Sequence, residues 1–224
     1  MTTRFTDMLH DAAFHIWQAS HQHPFLTELR DGTLATERFA FYMKQDYAYL
    51  KEYAKMFAYG SIKAKDLDTM GLFAKLLDST LNVEMELHRQ YAERLGIPRQ
   101  ELEETKPAPV TTAYTSYLLT AAAAGNLAEL TAALLPCTWS YCEIGTAIAA
   151  HPGALDHPFY GEWVEMYASP EFAKLNEWCM ELMNRLAEGL PEGELAVLTE
   201  RFVTASRFEY LFWEMAYRME EWPV

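Results

Sequence analysis

The side chains best able to do covalent chemistry are the thiols at Cys137, Cys142 and Cys179, and what a thiol does depends on its surroundings. They form no CxxC pair and no Cys/His cluster of zinc type, so neither a disulfide framework nor a structural metal is indicated and a reducing compartment suits them. In the stretch LPCTWSYCEIG, Leu130, Leu134, Cys137, Tyr141, Ile144 and Ile148 recur at spacings of three and four, which puts Cys137 and Tyr141 on one helical face. Pro136 either starts a helix or kinks one. In the first case freed backbone N–H groups near Cys137 would favour the thiolate.

A lone inward cysteine is usually an inert small hydrophobe, so its company matters. Ionisable groups on an apolar row are costly unless paired or functional, and that test selects two carboxylates. The row Phe39, Tyr42/Met43, Asp46, Tyr49/Leu50, Tyr53, Met56/Phe57 turns Asp46 inward among aromatics. The row Phe202, Ala205/Ser206, Glu209, Phe212/Trp213, Ala216/Tyr217 does the same to Glu209. Tyr49, Tyr114, Tyr141 and Tyr167 are each ordinary core aromatics when taken alone. A thiol, two buried carboxylates and several tyrosines together would make a pocket for a flat, polar heterocycle, with faces to stack and edges to hydrogen-bond.

The elements that must position these groups read as helices. Ala, Leu, Met and Glu dominate, glycine is scarce, and β-branched residues do not alternate, so the expected class is all-α. The spacing predicts a first helix from about Thr3 to Ser20, a short second one opened by Pro24, and a long third one capped by Thr36. Asp68 is the expected cap of a fourth helix that runs on to Gly96, and Thr111 or Thr112 the start of another ending near Gly125. A further helix covers 127–150, and three more follow over 159–168, 170–189 and 194–222, punctuated by Pro170, Pro191, Gly189 and Gly193. No linker or repeat divides the chain, and 224 residues, half of them hydrophobic, suffice for one domain over residues 1–224.

A formal charge of −14 is the wrong sign for a protein that neutralises phosphates, which argues against nucleic acid and anionic membrane as partners. Asp7, His10 and Asp11 stand where a signal peptide needs an apolar core, and no uncharged apolar run reaches spanning length, so the cytoplasm is the expected location.

Four segments, YMKQDYAYL at 42–50, TTAYTSYL at 111–118, LLPCTWSYCEIG at 134–145 and SRFEYLFWEMAYRMEEW at 206–222, carry a resemblance to thiaminase II, also called TenA, the aminopyrimidine aminohydrolases of thiamin salvage. The likeness spans nearly the whole chain. It implies an all-α bundle similar to haem oxygenase and commonly a homotetramer. It also implies hydrolysis of 4-amino-5-aminomethyl-2-methylpyrimidine to the hydroxymethylpyrimidine and ammonia, with thiamin a poorer substrate and no cofactor or metal. Carried over by motif, Cys137 is the nucleophile that adds to the pyrimidine ring and Glu209 the acid/base carboxylate. Asp46 binds the ring nitrogen and exocyclic amine, Tyr49, Tyr114, Tyr141 and Tyr167 line the pocket, and Phe212 stacks on the ring. Cys142 and Ser140 depart from some relatives, but neither replaces a catalytic group, and Cys142 reads as packing.

Three rivals make different demands. A di-metal bundle needs Glu-x-x-His on two helices, whereas EMELHRQ places Glu84 four residues before His88, a spacing that reads as a local contact. Haem would need an axial ligand such as His10, His15, His21 or His23. A non-catalytic binding or regulatory bundle would hold a pyrimidine without turning it over.

Overall fold

The computed structural model describes residues 4–224, and every regular element in them is helical, which bears out the all-α reading. The Thr3 start expected for the first helix lies outside these residues. The chain forms α1 (Phe5–His21), α2 (Pro24–Arg30), α3 (Thr36–Lys63), α4 (Leu67–Ser79), α5 (Met85–Arg94), α6 (Arg99–Glu103), α7 (Pro109–Ala124), α8 (Leu127–Ala149), α9 (Gly161–Tyr167), α10 (Pro170–Ala187) and α11 (Glu192–Arg218). A π-helical turn, Thr80–Glu84, joins α4 to α5, and a 3₁₀ turn, Ala154–Asp156, precedes α9. Among the described residues no helix is long and apolar enough to cross a membrane.

Several expected boundaries shift for local reasons. Thr36 is the first residue of α3 and Ala35 occupies the cap position, so the expected threonine cap is absent. Asp66, not Asp68, caps α4 by accepting the Thr69 N–H at 2.8 Å, because a cap side chain reaches back only to the third residue after it. Pro109 opens α7 ahead of Thr111, since a proline at the first helical position gives up a donor that had no partner there. Gly96, at φ +78, ends α5 in the left-handed conformation that glycine adopts freely.

The chain divides into two compact units, one of residues 1–34 and 131–213, the other of residues 35–130 and 214–224. In the first unit α1 packs against α10 and α2, and α9 against α10. Its core includes Leu9, Trp17, Phe25, Leu134, Met183, Phe202 and Trp213. In the second unit α3 is the central helix, in contact with α4, α5, α6 and α7 around Phe39, Tyr42, Met56 and Phe73. Gly60 lets α4 approach α3 closely, because a Cβ there would stand 2.4 Å from the Phe73 ring.

Candidate active site

In the first unit the site residues lie on α8, α9 and α11. Leu134, Tyr141, Ile144 and Ile148 are buried along one face of α8, and Cys137 on that row is half-buried, a thiol not locked into a disulfide. Pro136 lies inside α8, which continues through it, so of the two alternatives the helix start is excluded, and the N–H donation to Cys137 that it would have brought does not arise. The physical reason is that loss of one N–H and one ring clash can be absorbed by a helix whose neighbouring turns are packed.

The tyrosines predicted from α8 and α9 do meet. The Tyr141 and Tyr167 ring centroids are 4.8 Å apart, and Tyr141 also lies 5.0 Å from the Trp213 ring. This contact depends on Gly145, one turn beyond Tyr141, where a Cβ would come within 2.7 Å of Tyr167 Cβ and 2.8 Å of its carbonyl carbon. Glu209 and Phe212 are both buried on α11, as the helical row required. One turn before Glu209, the fully buried Ser206 accepts a hydrogen bond from Trp17 Nε1 at 3.0 Å, which fixes α11 against α1. Trp17 in turn meets Trp139 edge-on at 5.2 Å, so the face of α8 that carries Trp139 is tied into the same core.

Of the other two thiols, Cys142 is half-buried like Cys137, while Cys179 lies in the core. Cys179 is buried and its pKa is pushed up to about 12 by loss of solvation, with only the nearby Thr138 easing it. Burial raises the Cys142 pKa too, and the neighbouring Glu143 carboxylate adds to the rise. Glu143 is half-buried. Burial alone would raise its pKa, but His21, His10 and Trp139 beside it more than offset this and lower it.

In the second unit Asp46 and Tyr49 are one turn apart on α3 and both buried. Tyr114 on α7 stacks on Tyr49 with centroids 5.3 Å apart, and Tyr49 stacks on Tyr53 at 5.2 Å. Gln45 fixes the register between α3 and α7. Its Oε1 accepts the Ala108 N–H and the Thr111 hydroxyl, both at 2.8 Å, while its Nε2 donates to the Lys106 carbonyl at 3.1 Å. The buried carboxamide therefore satisfies the loop and the first turn of α7 at once.

Asp46 has a partner that sequence reasoning missed. His88 Nε2 lies 2.7 Å from Asp46 Oδ2, and His88 Nδ1 lies 3.0 Å from the Glu84 main-chain oxygen. The expected local contact of His88 with residue 84 is present, made to its main chain, but the longer-range bond to Asp46 is the shorter of the two. Burial would lower the His88 pKa, yet the hydrogen bond and charge of Asp46, with Glu84, more than offset it and leave it raised. The Glu84 carboxyl is also held above its ordinary pKa, chiefly by burial, with Asp46 adding and His88 and a Thr80 hydroxyl contact opposing. Beside this pair Tyr47 donates to Glu103 at 2.6 Å and accepts from Arg89 Nε at 3.1 Å, a latch that holds α5 and α6 to α3.

The signal that would have found His88 is the one that found Asp46, since Met85, His88 and Ala92 form a buried row at helical spacing. Gln45 and Ser206 were legible only as polar residues next to apolar rows. Among the described residues no group of three or more His, Cys, Asp or Glu side chains is arranged to hold a metal ion.

Residues 10–219 match the family model described as TENA/THI-4/PQQC. A protein of Halalkalibacterium halodurans named aminopyrimidine aminohydrolase is 52% identical over 218 residues, covering 97% of this chain and 97% of its own. The solved structure of a TenA homologue from P. horikoshii OT3 superposes with a TM-score of 0.89 at 33% identity, covering 96% of this chain and 99% of the other. A domain of unknown function with a haem-oxygenase-like fold from Shewanella denitrificans OS217 reaches a TM-score of 0.77 at 19% identity over 98% of this chain and 94% of that one, a likeness of fold alone.

Proposed function

We propose that this chain, which belongs to the TENA/THI-4/PQQC family, hydrolyses 4-amino-5-aminomethyl-2-methylpyrimidine to the hydroxymethylpyrimidine and ammonia, and cleaves thiamin more slowly. The observation that carries the reading is the 52% identity, over 97% of both chains, to a protein named aminopyrimidine aminohydrolase. The geometry supports it through the thiols: Cys179 is sealed in the core, whereas Cys137 and Cys142 are half-buried, and Cys137 is the one that shares its helical row with the buried Tyr141.

In this mechanism the Cys137 sulfur forms a bond to an electron-poor ring carbon, and the displaced ring electrons are held at a ring nitrogen. Their return expels the leaving amine from the exocyclic methylene. Glu209 supplies the proton that lets nitrogen depart as ammonia and then takes one from the water that replaces it. The thiolate finally leaves the ring. Asp46 binds the exocyclic amine and ring nitrogen, Tyr49, Tyr114, Tyr141 and Tyr167 line the pocket, and Phe212 stacks on the ring. The chemistry asks for no cofactor or metal. The enzyme acts as one domain in a cytoplasmic homotetramer.

Purified protein without added metal is expected to release ammonia from the aminomethylpyrimidine, and Cys137→Ser to abolish nearly all of it. Undiminished turnover by that variant would overturn the mechanism. Binding of the pyrimidine without turnover by the wild type would favour a binding protein instead.

A further inference from the structure

We propose that His88 is a positioning residue for Asp46: it holds Asp46 Oδ2 so that Oδ1 is presented to the exocyclic amine of the pyrimidine, a role that rests on the hydrolase reading above. The proton positions follow from the partners. The Glu84 main-chain oxygen can only accept, so His88 Nδ1, 3.0 Å away, carries a proton and donates it. With Nδ1 committed, the 2.7 Å contact of Nε2 with Asp46 Oδ2 is a charge-assisted bond in which an imidazolium donates to a carboxylate. Both side chains are nearly enclosed, at 5% and 7% exposure, where such a bond is worth more than at a surface.

Asp46 makes its hydrogen bond through Oδ2 alone among the described residues. Oδ1 is thus left for a donor from outside the protein, and the amine of an aminopyrimidine is such a donor. The backbone is shaped for the same task. One helical turn before His88 the helix widens by one residue in the π-helical turn Thr80–Glu84, closed by the Met85 N–H on the Thr80 carbonyl. Single π turns concentrate at functional sites, where they re-aim a side chain. Here the last residue of the turn, Glu84, offers the carbonyl that meets Nδ1, and the imidazole bonded there reaches the Asp46 carboxylate through Nε2. Tyr47 and Arg89, the next residues after Asp46 and His88, close the latch outside the pair. That latch ties α5 to α3 separately from the bond between Asp46 and His88.

The test compares His88→Leu, His88→Gln and His88→Asn, with steady-state ammonia release from the aminomethylpyrimidine and calorimetric affinity for the hydroxymethylpyrimidine product. Loss of a hydrogen bond to a charged group predicts KM higher, and product affinity lower, by roughly ten- to a hundredfold in the leucine variant, with a smaller effect on kcat. Glutamine places its amide N–H near the position of Nε2 and asparagine near that of Nδ1, so His88→Gln is expected to recover most of the affinity and His88→Asn little. Equal affinities for the two amides, or the reverse order, overturn the proposal, and this comparison stands even where His88→Leu fails to fold. In the wild type without ligand, imidazole nitrogen NMR is expected to show both His88 nitrogens protonated at pH values near neutrality. A bare Nδ1 overturns the assignment. A wild type that binds the product but releases no ammonia counts against the hydrolase reading alone, and the order of product affinities still decides the role of His88.

Discussion

Replacing Gly145 by alanine sets two opposing effects against each other, and the structure decides which wins. Inside a helix such as α8, alanine is preferred to glycine by about 0.5–1 kcal/mol, so propensity alone predicts stabilisation. The new Cβ, however, would stand 2.7 Å from Tyr167 Cβ, 2.8 Å from its carbonyl carbon and 3.0 Å from Ala168 N. Carbon atoms rest at about 3.5–4 Å, so α9 must retreat by roughly 1 Å. Two of these three neighbours are backbone atoms, which no change of rotamer can move aside. Overpacking of this kind costs about 1–3 kcal/mol. Gly71 on α4 provides the control, because it too is helical and a Cβ there meets nothing within 4 Å. Helix propensity cancels between Gly145→Ala and Gly71→Ala, and the difference in their melting points isolates the packing cost. At about 2–4 °C per kcal/mol for a chain of this size, Gly71→Ala is expected to melt slightly above the wild type. Gly145→Ala should melt about 2–12 °C below Gly71→Ala. The retreat of α9 also carries Tyr167 away from Tyr141, and a misplacement of about 1 Å is enough to cost up to roughly a hundredfold in turnover where Tyr167 lines the substrate. Calorimetric melting and ammonia release on the same samples test both parts. Equal melting points for the two alanine variants would refute the packing argument, and a destabilised Gly145→Ala with unchanged kinetics would refute the role given to Tyr167.

Gln45→Leu strands the buried Ala108 N–H and Thr111 hydroxyl; at about 1–3 kcal/mol for each buried group left unsatisfied, chemical denaturation should show a loss of several kcal/mol, and a loss below about 1 kcal/mol would refute the clamp. Iodoacetamide on the native protein at mildly alkaline pH is expected to leave Cys179 unmodified, as its pKa is pushed up to about 12 and it is buried; rapid labelling there by peptide mass spectrometry would contradict the packing of α10. The His88 pKa is raised in the fold, so its contribution to stability is fully present below its ordinary value of 6.5 and is lost as pH rises through the folded value. The groups facing it are Asp46 on α3 and Glu84 in the π-helical turn, and the raised Glu84 pKa has the same sign, starting from 4.5. The stability of the wild type relative to His88→Leu should therefore fall as pH increases above 6.5, and a difference that stays flat from about pH 6 to 10 would refute the ion pair.

That Asp46 and Glu209 turn inward was legible, because helical periodicity speaks about one helix at a time and needs no knowledge of its neighbours. Asp46 and Glu209 were placed in the core by that rule alone, and both are buried. Helix ends were less legible. The cap on α4 fell to Asp66 rather than Asp68, a choice between two acceptors that only the backbone geometry of the turn settles. Pro136 could open or kink a helix on the evidence of its own ring, and it lies within α8, which runs on through it. The π-helical turn shows what periodicity loses. Thr80 and Met85 are both buried, five residues apart, where an unbroken α-helix buries residues three or four apart. One extra residue rotates everything after it by about 100°, so a row traced from α4 fails to continue into α5. His88 is buried on the new row, and its partner Asp46 lies 42 residues away in sequence. That pairing still follows from a further physical step. A buried carboxylate costs several kcal/mol unless a donor or cation meets it. Once Asp46 was assigned to the core, a second inward ionisable group had to exist on another helix. A search for a buried histidine or basic residue at helical spacing would have led from Asp46 to His88.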